Sequence, residues 1–138
     1  MKPSSLIIAA GILVAATLTT VWSFPAPAFE ARVSDAAGVS IMVTPRPLAP
    51  GSTTWEFEVA MNTHVRPLAE DLTTAAVLIE ADGQRAAPVG WQGDPPGGHH
   101  RKGVLRFPAP SAPQPTFELQ LSGVGGAALR TFRWDATP

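Results

Sequence analysis

Apolar and polar side chains alternate along several stretches of this chain, and this limits the folds that it can adopt. In residues 54–62, TWEFEVAMN, large apolar side chains stand at positions 55, 57, 59 and 61, and Glu56, Glu58 and Asn62 stand between them. Successive residues of a β-strand point to opposite faces, so this pattern predicts a strand with one face in a core.

Similar alternation predicts several more short strands, separated by Pro- and Gly-rich turns. No apolar pattern of helical period is long enough for a sizeable helix after the first 28 residues, although residues 67–74 suit a single turn. We therefore expect an all-β domain, an antiparallel β-sandwich of immunoglobulin-like or fibronectin-III-like type. The further strands are expected at residues 39–44, 75–81, 103–107, 116–122 and 129–135, with a weaker one at 85–91.

The inward faces of these strands predict the core. Val77 and Ile79 are expected to lie in it together with Trp91. The last strand, LRTFRWD, also contains Arg130 and Arg133, for which two roles are open. Their side chains either extend over the core towards solvent or anchor the rim of a partner-binding surface.

Residues 1–28 form a hydrophobic leader in which Lys2 is the only charged residue. Ala26-Pro27-Ala28 has the small-x-small form of a signal-peptidase site, with cleavage after Ala28. Residues 6–24 are also long enough to cross a bilayer as a transmembrane helix. Both alternatives place residues 29–138 outside the cytoplasm, as a periplasmic or membrane-tethered single-pass domain. The anchor residues would be Leu6, Ile7, Ile8, Leu13, Val14, Leu18, Val21 and Trp22.

Composition argues against several classes of function. Ten Lys and Arg residues against eleven Asp and Glu leave a formal charge of −1, so we expect no nucleic-acid partner. The chain has no cysteine, no nucleophile elbow and no phosphate-binding loop, so we expect no enzymatic activity.

The three histidines are the candidate metal ligands. His64 follows one predicted strand and His99-His100 precedes another, so strand ends would bring them together, with Asp94, Glu70 or Asp71 as an oxygen ligand. Such a set would suit Cu²⁺ or Zn²⁺. The other interpretation is that GDPPGGHHRKG, residues 93–103, is a tight turn with a polar rim, where a histidine stacks on Trp91.

The pattern Thr63-His64, Leu68, Trp91, Gly97-Gly98-His99-His100 and Gly103-Val104-Leu105-Arg106-Phe107 resembles a group of exported bacterial β-sandwich domains with no assigned activity. The likeness covers residues 54–134. It implies a defined exported domain in which the histidines belong to one structural feature, and it implies no cofactor.

Two functions follow from these observations. The first is a non-catalytic, membrane-tethered interaction module that docks as an accessory or stabilising subunit on a larger membrane protein complex. Its extended Pro-rich loops would suit the covering of a neighbour. The alternative is a periplasmic copper- or zinc-binding protein that uses His64 with His99 or His100.

Overall fold

The computed structural model describes residues 29–135, which form two antiparallel β-sheets that share one core. The predicted leader, with all eight anchor residues, lies outside the described residues, as do residues 136–138. Within 29–135, no helix has both the length and the apolar character needed to cross a bilayer.

The strands are β1 Arg32–Ala36, β2 Val39–Pro45, β3 Thr54–Thr63, β4 Ala76–Ile79, β5 Arg85–Ala86, β6 Gly90–Gly93, β7 His100–Pro108, β8 Thr116–Ser122 and β9 Leu129–Asp135. A single helical turn, α1, spans Leu72–Ala75 after the N-cap Asp71, and a 3-10 turn spans Val124–Gly126. The first sheet has five strands in the order β1-β2-β3-β7-β6, and the second has four in the order β5-β4-β8-β9.

The predicted all-β sandwich is confirmed, and β8 and β9 have the bounds expected from the alternation. Several details differ, among them the strand expected at 75–81, which covers only Ala76–Ile79. The chain forms an additional first strand, β1. The weak strand at 85–91 divides into β5 and β6, which belong to different sheets. Strand β7 begins at His100 instead of Gly103, because β3 is long enough for Asn62 to pair with His100.

The core lies between the sheets and is rich in aromatic rings. Trp55 of β3 packs against Phe117 of β8 with ring centroids 4.5 Å apart, and Phe117 stacks on Trp134 of β9 at 5.2 Å. Each fully buried large side chain contributes about 1.5–3 kcal/mol relative to exposure. Contacts between these three rings therefore hold the two sheets together.

The expectation for β4 is wrong about which face is buried. Ala76 and Leu78 lie in the core, whereas Val77 and Ile79 are only partly buried on the outer face. The run AAVLI is apolar at every position, so alternation gives no information on its orientation. The pairing of Leu78 with Leu119 in β8 selects the face.

The sandwich has two distinct ends. At one end, which we call the His pole, the loop after β3 meets the 94–99 turn, and the amide of Leu68 donates to the carbonyl of Gly98. At the other end, which we call the Pro pole, the 46–53 loop meets the 109–115 loop. Both ends of the described chain, Phe29 and Asp135, also lie at the Pro pole.

Candidate functional site

His64 and His100 lie together at the His pole. Their rings meet edge to face with centroids 6.4 Å apart, and both residues are exposed. The Nδ1 of His100 lies 2.7 Å from the Oδ1 of Asn62, its cross-strand neighbour. Two imidazoles on one tetrahedral ion have centroids roughly 5 Å apart, so a shared metal would require the rings to approach.

Two other predicted ligand residues, Asp94 and His99, accept hydrogen bonds from backbone amides. The carboxylate of Asp94 accepts a 2.8 Å hydrogen bond from the amide of Lys102 and so closes the turn between β6 and β7. The carbonyl of His99 accepts from the amide of Thr63 at 2.9 Å, while its side chain is exposed. Among residues 29–135, no group of three or more His, Asp or Glu side chains is arranged to hold a metal ion.

Arg101, rather than a histidine, stacks on Trp91. Its guanidinium lies 5.1 Å from the ring centroid, and only 2% of the residue is exposed. It donates to the backbone carbonyls of Glu70 and Asp94, at 2.6 and 3.2 Å. Burial lowers the pKa of this guanidinium, which the charges of Asp71, Glu70 and Asp94 offset in part. Residues 100–102 are therefore the start of a strand with alternate faces, not part of a uniformly polar rim.

The two arginines of β9 lie in different environments. Arg133 is exposed on the outer face, whereas Arg130 shares the inner face with Phe132 and is only 2% exposed. The Arg130 guanidinium forms six hydrogen bonds, and burial lowers its pKa. Of the two, only Arg133 lies where a partner can reach it. The Arg130 acceptors are the carbonyls of Ser34, Ala36, Val39, Val124 and Gly125 and the hydroxyl of Ser34.

The Pro pole contains an open cleft of about 610 Å³ between two loops. Residues 48–52 form one wall, residues 109–115 form the other, and the rings of Phe29 and Trp55 also line it. None of the described residues that line the cleft has a charged side chain.

Proline and local hydrogen bonds determine the shape of these walls. Proline fixes φ and has no N–H, so loops with several prolines stay extended and do not pair as strands. The amide of Ala109 donates to the carbonyl of Thr53 at 2.9 Å and joins the two loops at their base. Gln114 accepts from the amide of Ala81 at 2.7 Å, which fixes the far end of the second loop.

Trp55 closes the bottom of the cleft. It is 2% exposed, and its indole N–H donates to the carbonyl of Arg46 at 2.8 Å. Phe29 packs edge to face on Phe117, with centroids 4.9 Å apart, and so covers the same part of the core. The cleft thus has a rigid aromatic floor.

Charged residues lie beside the cleft, on the outer face of the first sheet. Arg46 contacts Glu56 at 2.6 Å and Glu58 at 2.9 Å, and Arg106 contacts Glu56 at 3.0 Å. Hydrogen bonds from Arg46 and then Arg106 hold the pKa of Glu56 below its ordinary value. The sheet face is therefore charged, whereas the cleft beside it is uncharged.

No protein-family profile, curated protein or solved structure matches this chain.

Sequence reasoning found the Pro-rich loops but not the cleft between them. Residues 48–52 and 109–115 are about sixty positions apart, so only the pairing of β3 with β7 places them side by side. Phe29 stands just before the first strand, and alternation does not mark it as part of a site.

Proposed function

We propose that this chain is a non-catalytic, membrane-tethered interaction module that docks from the extracytoplasmic side on a larger membrane protein complex, as an accessory or stabilising subunit. The observation that supports it most directly is the uncharged cleft at the Pro pole, where the described chain begins at Phe29. Apolar concave surfaces of this kind are typical of binding sites.

The covalent link to the leader favours a location close to the membrane. If residues 6–24 span the bilayer, five peptide units connect Phe24 to Phe29. An extended chain advances at most roughly 3.6 Å per residue, which limits the separation to about 18 Å. The Pro pole would then face the membrane and the His pole would face away from it.

Strand order supports an immunoglobulin-like or fibronectin-III-like sandwich as the finer fold class. Strands β2-β3-β7-β6 have the order A-B-E-D of that fold, and β5-β4-β8-β9 have the order C′-C-F-G, with β1 as an addition. Such a fold presents loops at its two ends on a rigid support. Because fold alone does not define function, the proposal depends on the cleft.

The strongly buried polar side chains serve the fold. Arg101 and Arg130 have backbone carbonyls as their main acceptors, which accounts for both as structural groups. The metal-binding alternative depends on His64 and His100. These two imidazoles would supply two ligands, so an ion would take its remaining ligands from water or from another chain.

Fractionation of native membranes tests the proposal. We expect the intact chain to remain with the membrane after carbonate washing and to migrate, in mild detergent, within a complex much larger than its own 14.4 kDa. Mass spectrometry of the native chain gives its first residue. A chain that begins at Phe29 and elutes as a soluble monomer would refute the proposal.

A further inference from the structure

We infer that the cleft at the Pro pole binds one extended, uncharged segment of a membrane-embedded partner protein, which inserts apolar side chains between residues 48–52 and 109–115. This inference rests on the proposed function, because it specifies the chemistry of the partner at that pole.

The lining of the cleft excludes a charged ligand segment. Its walls consist of proline, alanine, glycine and serine together with Leu48 and Gln114, and its floor is the ring of Trp55. A charged side chain that entered would lose hydration without meeting an opposite charge, which is costly. An apolar side chain would instead gain contact with the proline rings and with Phe29, which is only partly buried.

Most side-chain polar groups at the cleft already have hydrogen-bond partners within the domain. The indole N–H of Trp55 donates to Arg46, and the side-chain amide of Gln114 bonds to Ala81 and Ala112. Prolines in the walls have carbonyl acceptors but no N–H donors. A segment with free backbone N–H groups is therefore a better complement than a proline-rich one.

The shape of the site favours a protein segment over the lipid surface itself. A bilayer is flat at this scale, whereas the cleft is concave. Lipid-binding surfaces present Lys and Arg to phosphate groups, and the described lining has neither. A volume of about 610 Å³ accommodates a few side chains rather than a folded domain.

Site-specific photo-cross-linking identifies the occupant. Ala112 is exposed and lines the cleft, so a photoreactive benzoylphenylalanine at this position in the full-length chain reports what enters. The same replacement at Ala128, exposed at the His pole, is the matched control. We expect position 112, but not 128, to cross-link in native membranes to an uncharged peptide of one integral membrane protein, identified by mass spectrometry.

Substitutions that place a charge in the cleft measure how much the cleft contributes to association with the membrane complex. We expect Ala112→Asp and Ala112→Arg to lower the fraction of chain in the complex by about fivefold or more, since either sign of charge is unfavourable there. Ala128→Asp and Ala128→Arg should leave that fraction within about twofold, because this loop lies at the opposite end. Circular dichroism of each variant confirms that the sandwich is intact.

The outcomes separate this inference from the proposed function. A complex that persists unchanged in both Ala112 variants would refute the inference and leave the interaction module standing. Cross-links from position 112 to lipid, to residues 22–28 of the same chain, to a second copy or to a charged peptide would also refute it. Failure of the wild-type chain to enter any membrane complex would refute both.

Discussion

Replacement of Arg130 by methionine should destabilise the domain by about 2–5 kcal/mol. The side chain is 2% exposed, and its bonds to the carbonyls of Val39, Val124 and Gly125 are buried. Methionine fills similar volume but donates nothing, so the carbonyls of Val39 and Gly125 lose this donor and that of Val124 keeps only the 3.4 Å hydrogen bond from the amide of Ala127. Each unsatisfied buried acceptor costs about 1–3 kcal/mol, and relief of the buried charge offsets only part of this.

Arg133 provides the matched control on the same strand. It is exposed, so Arg133→Met should change the free energy of unfolding by less than about 0.5 kcal/mol. The loss of unfolding free energy in Arg130→Lys should lie between those of the two methionine variants. A lysine ammonium keeps the charge, but it cannot reach all the acceptors that the planar guanidinium of arginine contacts. Urea denaturation of the full-length protein in detergent, followed by tryptophan fluorescence, measures all three variants.

Hydrogen exchange adds a local readout. Arg130 donates to the carbonyls of Ser34 and Ala36, which fixes β1 against β9. The amides of the β1–β2 hairpin should therefore exchange faster in Arg130→Met than in Arg133→Met. Equal unfolding free energies and equal exchange in these two variants would refute the structural role given to Arg130.

Three further predictions concern other parts of the domain. Arg101→Met should cost about 2–4 kcal/mol in urea unfolding, because the carbonyl of Glu70 loses its donor and the stacking of the guanidinium on Trp91 is lost. The carbonyl of Asp94 keeps the indole N–H of Trp91 as a donor, and an unchanged midpoint would contradict the prediction. Because the pKa of Glu56 is lower in the folded state, its contribution to stability is present above its unfolded pKa of about 4.3 and is lost as pH falls through the folded value. The free energy of unfolding should therefore fall less between about pH 5 and pH 3 in Glu56→Gln than in the wild-type protein. The difference should be under about 1 kcal/mol, because the ion pairs of Glu56 are partly exposed to water. If the chain binds Zn²⁺ or Cu²⁺ in equilibrium dialysis, His64→Ala should abolish that binding; retention of binding would exclude His64 as a ligand.

Much of the β-architecture was accessible from the sequence, because exposure to water on one face and burial on the other impose a period of two. The strands β3, β8 and β9 have alternating patterns and were predicted with nearly their observed bounds. Strand β4 lies within the stretch where alternation predicts it, residues 75–81, but it is shorter and has the other face inwards, since its residues are all apolar. Strand β1 was missed because its pattern, RVSDA, is largely polar and exposed.

The alternation of apolar and polar residues is enough to predict an all-β sandwich with Pro-rich loops and an aromatic core after residue 28. The environment of the polar residues depends instead on contacts made in the folded domain. Whether Arg101 and Arg130 are exposed or buried depends on carbonyls that lie up to 96 residues away in the chain. The same holds for the cleft, because strand pairing brings residues 48–52 and 109–115 to one end. Local periodicity specifies strands, but long-range pairing specifies which side chains meet.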